Sequence, residues 1–194
     1  MTLAIAACQT LLPSLAPSSS SSPSSSPGDR INRPFPEQRE GNDPDTKLPL
    51  AWYNGDCGST SAEAIANNCV YSIVLHSWLP PSCLTPEDRE DEELMYAGRE
   101  DAWSYTLDNG TALTMEDLKR GDYHHFTTSF GWHVVHCMYV WKRVHRVAMD
   151  AEKRMDSYTA NYHHTEHCVK MIGGDPGGMK DSGTKIFVKY PVCA

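Results

Sequence analysis

The sequence predicts an α-rich α+β domain behind a disordered N-terminal segment: two principal helices, each carrying a His-x-x-His-Cys motif, with small β elements beside them. Three observations predict it. Apolar residues at helical spacing run through Phe126–Ala148 and Tyr158–Ile172, and each run holds one copy of the motif. Short β-branched and aromatic runs lie between turn signals. The N-terminal region carries a Ser/Pro tract with almost nothing to bury.

Taken in order, residues 1–16 are mostly apolar and uncharged. The stretch falls short of the roughly 20 residues a spanning helix needs, and it lacks the basic start of a signal peptide. It reads as a signal-like segment or a truncated membrane anchor, the plain alternative being a disordered end. Residues 17–47 form a low-complexity tether; Ser18 to Pro27 are Ser and Pro only. The domain is expected to cover residues 48–194.

Within it, Thr60 and Glu63 have capping-box spacing and start a short helix to about Asn68. Val70 to Trp78 reads as one strand, ended by Pro80-Pro81. Thr85 as N-cap with Pro86 behind it starts a helix whose acids, Glu87, Asp88, Glu90, Asp91, Glu92 and Glu93, fan around the axis. That run reads as a solvated face. Trp103 to Met115 is expected to form a hairpin turning at Asp108-Asn109-Gly110, followed by a second capping box at Thr114 and Asp117. The two motif helices follow, the second stopped by Gly173-Gly174. Ile186 to Val188 is read as a short closing strand.

Composition narrows the function. Of 194 residues, 40% are hydrophobic and 22% charged, with a net charge of −8. The negative balance argues against a nucleic-acid partner, which needs cations to displace counterions from phosphates, and against a basic patch docked on anionic lipid. Six of the seven cysteines lie in the domain, and Asn109-Gly110-Thr111 is a glycosylation sequon. Both favour an oxidising, secretory compartment. Cys57 and Cys69 bracket a short helix and are a candidate disulfide, with Cys83 and Cys193 a second candidate pair.

The chemistry lies in the duplicated motif. At 100° per residue His133, His136, Cys137, Val140, Val144 and Val147 share one face, and Lys142, His145 and Arg146 lie on the other. In the second copy His164, His167, Cys168 and Met171 share a face, while Glu166 and Lys170 point away. Both histidine pairs thus continue a core-facing stripe. A lone buried histidine is ordinarily a hydrogen-bonded core residue. Four in a matched duplicate need partners for many buried ring nitrogens, and a shared metal ion supplies one. Neutral imidazoles suit zinc, copper, iron and nickel. Two His and two Cys would close a structural zinc site, and four imidazoles fit copper at least as well. Three roles are open to Cys137 and Cys168: metal ligands, a disulfide between the helices, or small buried apolar groups.

Other histidines and acids carry weaker signals. His124-His125 is a candidate extra ligand or proton shuttle, and His163 a candidate support for its neighbour His164. Glu166 points away by helical geometry, which speaks against a general-base role. Gly178 to Lys185 mimics a phosphate-binding loop, but its Lys and Thr are reversed and no buried strand precedes it, so it is rejected.

The doubled element, His133-Val134-Val135-His136-Cys137 and His164-Thr165-Glu166-His167-Cys168, on helices behind a low-complexity tether, resembles the fungal UstYa-like proteins. The resemblance covers about the last third of the chain. It implies a single-pass membrane oxidase of secondary metabolism, often copper-dependent, that oxidises or cyclises peptides and other natural products. Two departures mark a divergent member. The usual full transmembrane helix is not found, and after Cys168 the chain runs Val169-Lys170-Met171-Ile172 into glycines in place of the family's Leu-Arg-Gln-like stretch and later Met-Cys pair.

The expected function is therefore a copper-dependent oxidase acting on a peptide or other small natural-product intermediate. His133, His136, His164 and His167 are its expected metal ligands and catalytic residues, with Cys137 and Cys168 as further ligands or a disulfide. Zinc is the alternative metal. The expected setting is the secretory lumen, membrane-associated through a missing or truncated anchor or else secreted, with a second copy or a related family member as partner. The main alternative is a non-catalytic secreted domain with a structural zinc or disulfide-stapled site, and a third reading is a homologue that has lost its substrate pocket.

Overall fold

The computed structural model describes residues 55–99, 102–150, 152–174 and 183–193. The expected segments 1–16 and 17–47, and the domain start at Leu48, lie outside the described residues. Helix α1 (Ser61–Ala66) opens on a capping box: Thr60 Oγ1 accepts from the Glu63 N–H, and the Glu63 carboxylate accepts from the Thr60 N–H. Disulfide Cys57–Cys69 brackets this helix, and Cys83–Cys193 ties the chain end to the middle of the domain, as the candidate pairs anticipated.

The expected single strand Val70–Trp78 is two. Strands β1 (Val70–Ser72) and β2 (Ser77–Leu79) pair antiparallel, Tyr71 opposite Trp78. The chain reverses at residues 73–76, with His76 in the left-handed region at φ 54°. A buried carboxylate makes that reversal: Glu92 accepts from the Val74 N–H (2.7 Å) and the Ser72 hydroxyl (3.1 Å). Local propensity favoured a continuous strand, and a side chain from elsewhere in the fold overrode it.

Glu92 belongs to α2 (Pro86–Tyr96), the acidic helix, capped by Thr85 with Asp88 as its reciprocal partner. Here the solvated-face reading is corrected. Asp88 and Glu92, one turn apart, are both buried. Asp88 receives Arg146 (2.5 Å) and lies 3.8 Å from Arg143, and Asp91 binds Lys142 and Arg146. The acids on the inward stripe anchor the long motif helix.

Strand β3 (Tyr105–Thr106), helix α3 (Met115–Lys119) and strand β4 (His125–Thr128) come next. The Asn-Gly turn forms, with Gly110 at φ 82° and a bridge from Thr106 to Ala112, but the main partner of β3 is β4. Strand β5 (Thr184–Phe187) pairs with the other edge of β4, giving an antiparallel sheet ordered β3-β4-β5. The closing strand thus stops one residue before Val188.

Helix α4 (Phe130–Met149) starts later than the expected Phe126, because residues 125–128 are held between two strands. Helix α5 (Tyr162–Gly173) starts at Asn161, whose side chain accepts from the His163 N–H, so Tyr158 lies before the helix. Residues 156–159 form a buried turn instead. Arg143, 1% exposed, pins it by donating to Asp156 (2.5 Å), Thr159 and the Cys83 carbonyl. An uncompensated charge at that depth would be costly, and the Asp156 pairing offsets part of that cost. The main core gathers Leu75, Leu79, Leu118, Phe126, Trp132, Tyr139 and Val140 beneath α4. The domain is α-rich α+β, with the two motif helices packed on each other.

Candidate metal centre

The four motif histidines meet between α4 and α5. The helices run antiparallel, so the first histidine of each copy faces the second of the other. His136 Nε2 lies 3.1 Å from His164 Nε2, and His133 Nε2 lies 3.0 Å from His167 Nε2. Ring centroids across the helices are 5.2 and 5.0 Å apart, and along the helices 6.1 and 6.5 Å. The result is two clamps, one helical turn apart, rather than four nitrogens at one point.

The clamps differ in depth. His133, His136 and His164 are buried, while His167 is exposed on the outer edge. Burial pushes His136 well below the usual imidazole range and His133 down to about 4, with neighbouring imidazoles adding to each shift. Burial also lowers His167. These three rings are neutral near pH 7, the form that donates a lone pair to a metal.

Hydrogen bonds fix the inner pair further. His136 Nδ1–H donates to the Val74 carbonyl (2.7 Å), and His164 Nδ1–H donates to the Tyr158 carbonyl (3.2 Å). In that tautomer each Nε2 presents a lone pair, and the two face each other. Both lone pairs are aimed at one point, where a single cation would take them together; the Tyr158 hydroxyl, 3.0 Å from His136 Nε2, is the donor to that nitrogen. A backbone carbonyl behind the far nitrogen is the usual support of a metal-binding imidazole.

Cys168 joins the inner pair. The ligating atoms of His136, His164 and Cys168 all lie within 4.8 Å of one another, and all three residues are buried. Cys137 and Cys168 are both free thiols, so the disulfide option for this pair is not realised. They hydrogen-bond to each other instead. The bond and burial push Cys137 up; the same bond, with help from His164, draws Cys168 down to about 5. Cys168, whose sulfur lies with the inner imidazoles, is the thiol placed for ligation.

These residues fit a copper or zinc ion. The inner set offers two imidazole nitrogens and a sulfur, and the outer set two imidazoles near solvent. In addition, His133 Nδ1 is buried without a hydrogen-bond partner among the described residues.

Three residues of the centre were not singled out from sequence. His76 stacks on His136 (centroids 6.0 Å, 24°), accepts from Trp132 Nε1–H (2.9 Å), and has its Nδ1 buried without a hydrogen-bond partner among the described residues. Tyr158 touches both inner histidines. Its hydroxyl is 3.0 Å from His136 Nε2, and its ring stacks on His164 at 4.0 Å. Lys189 is buried with its Nζ 4.3 Å over the Tyr158 ring, and burial pulls it down to about 7. Two signals were available for these residues. Asn161 as an N-cap would have put Tyr158 outside the helix, and Lys189 is a lone charge in an apolar run.

The weaker candidates fall elsewhere. His124 and His125 form a surface cluster with Asp108 and Phe187. His163 is exposed and pairs with Glu166, which points away from the motif rings as its helical position requires.

Fold and site together define an α-rich domain in which two antiparallel helices share a largely buried imidazole cluster with one thiol inside it. The chain is similar to phomopsin biosynthesis cluster proteins B′ and B of Diaporthe leptostromiformis, each 25% identical over 131 residues. That alignment covers 64% of this chain and 38% of each relative, so the chain spans well under half the length of the curated relatives it matches. No family model matches the chain, and no solved structure does.

Proposed function

We propose that this chain is the metal-binding domain of a copper-dependent oxidase of fungal secondary metabolism, acting on a peptide or other natural-product intermediate. The observation that carries the reading is the pairing of imidazole nitrogens across α4 and α5 at 3.1 and 3.0 Å. The relatives named for phomopsin biosynthesis support the metabolic setting.

The inner pair His136 and His164, with Cys168 beside it, and the outer pair His133 and His167 would be the metal ligands. Bound copper would supply one-electron redox chemistry. The chain's own residues do the rest. The Val74 and Tyr158 carbonyls hold two rings in the ligating tautomer, and buried His136, His164 and Cys168 keep water from the inner nitrogens. Exposed His167 leaves the outer pair open to a substrate. Two disulfides and the sequon support a secretory setting, whether membrane-associated or secreted. Among the described residues no helix is long and apolar enough to cross a membrane. Exposed Met138 and Trp141 on α4, with Val169 and Ile172 on α5, support contact with a second copy or a related chain.

One observation favours a second reading. The inner trio includes a buried sulfur, and a structural zinc takes such a mixed N/S set. Elemental analysis with electron spin resonance, on protein from a eukaryotic secretory host, separates the two. Stoichiometric copper with a nitrogen-rich signal is expected. Zinc alone would favour the structural site, and repeated metal-free preparations would overturn both.

A further inference from the structure

Resting on the metal reading above, we propose that Tyr158 is an oxygen donor to the inner site, completing a set of His136, His164, Cys168 and Tyr158. One residue meets the inner pair in three ways. Its carbonyl accepts from His164 Nδ1–H at 3.2 Å, its ring stacks on the His164 ring at 4.0 Å and 24°, and its hydroxyl lies 3.0 Å from His136 Nε2.

The hydroxyl contact has a defined direction. His136 is neutral and donates through Nδ1 to Val74, so its Nε2 only accepts, and the Tyr158 O–H donates to it. A cation that takes the Nε2 lone pair ends this hydrogen bond. The phenol oxygen then stands beside the same ion with its own lone pairs. As the oxygen binds, its proton passes to solvent, and no electron is transferred.

The oxygen is also held in place. The ring is packed between His164 and the Lys189 ammonium, whose Nζ lies 4.3 Å from the ring centre. Its backbone belongs to the turn pinned by Arg143 through Asp156, by Thr159 N–H donating to Asp156 (2.7 Å), and by Ser157 N–H donating to the Val192 carbonyl. A donor on so fixed a turn costs little ordering entropy when the metal arrives. With Tyr158 the three-donor set becomes four, the number at which a zinc-like site closes.

Cobalt(II) titration of the full chain, followed by absorbance, tests the proposal, with wild type compared to Tyr158→Phe and Cys168→Ser. Tyr158→Phe keeps the ring and removes only the oxygen. Wild type is expected to bind cobalt with a thiolate charge-transfer band that Cys168→Ser removes. Tyr158→Phe is expected to keep that band, shift the ligand-field bands and bind about tenfold or more weakly. Unchanged affinity and an unchanged spectrum in Tyr158→Phe would overturn the Tyr158 assignment and leave the metal site standing. No cobalt binding by wild type would overturn the metal reading itself. Should Tyr158→Phe not fold, ultraviolet difference spectra of wild type decide: a tyrosinate signal on metal addition supports the donor, and its absence overturns it.

Discussion

The inner clamp, His136 with His164, and the outer clamp, His133 with His167, are built from the same duplicated motif and differ in everything around it. The inner rings have carbonyl partners at Nδ1, a thiol beside them and a tyrosine against them. In the outer clamp His133 Nδ1 has no hydrogen-bond partner among the described residues, and His167 is exposed. Identical motif letters thus give a supported pair and an open pair. The antiparallel helices put one histidine of each copy in each environment, so the contrast belongs to depth and not to copy. On the proposed reading the inner clamp would hold the ion, and the outer one would face what reaches it from solvent.

Five substitutions sharpen that contrast. The largest effect is expected at the inner clamp's foundation. Asp156→Ala leaves Arg143 buried without its closest carboxylate and loosens the turn that carries Tyr158. It should cost about 3–5 kcal/mol in chemical denaturation, as loss of one buried ion partner does. Next is the clamp itself: His136→Ala should weaken metal binding more than about a hundredfold, near 3 kcal/mol, and His167→Ala distinctly less. Equal losses by calorimetry would erase the distinction between the clamps.

Glu92→Gln probes the turn that places the Val74 carbonyl behind His136. Burial raises the Glu92 carboxyl from 4.5 to about 7, against hydrogen bonds from Val74, Ser72 and Ile73 that favour its ionised form. The folded value lies above the unfolded one. Its contribution to stability is therefore fully present below about pH 4.5 and lost as pH rises through about 7. Glu92→Gln should flatten that dependence, removing up to about 3 kcal/mol of it, as read from unfolding midpoints across the window. An unaltered pH profile would show that this carboxyl does not titrate there. The smallest effect is a control outside both clamps: Thr60→Ala removes the α1 cap and should cost about 1 kcal/mol while leaving metal affinity unchanged.

Much of the site was legible because helix geometry is local. A 100° period suffices to put His133, His136 and Cys137 on one face and Glu166 on another, the caps at Thr60 and Thr114 are read from spacings of three, and the cap at Thr85 is read from the proline behind it. What was not legible depended on distant partners. Asp88 and Glu92 look like solvent-facing acids until Arg146, 58 residues on, and Val74, 18 residues back, are in place. The break in the 70–78 run has the same origin, since Glu92 turns the chain there. The start of α4 was misjudged because Phe126 suits a helix as well as a strand, and pairing to β3 and β5 decides between them. One ion shared by the four imidazoles was also expected. Helices in direct contact leave the two clamps one turn apart.

The claim that one metal centre is shared by the two helices is tested most directly by stripping each in turn. Copper content is measured by elemental analysis on folded wild type, on His133→Ala/His136→Ala and on His164→Ala/His167→Ala, after equal copper loading and dialysis. Wild type should retain copper and both double variants should lose it, because each clamp takes one imidazole from each helix. Full retention of copper by either double variant would contradict the shared centre.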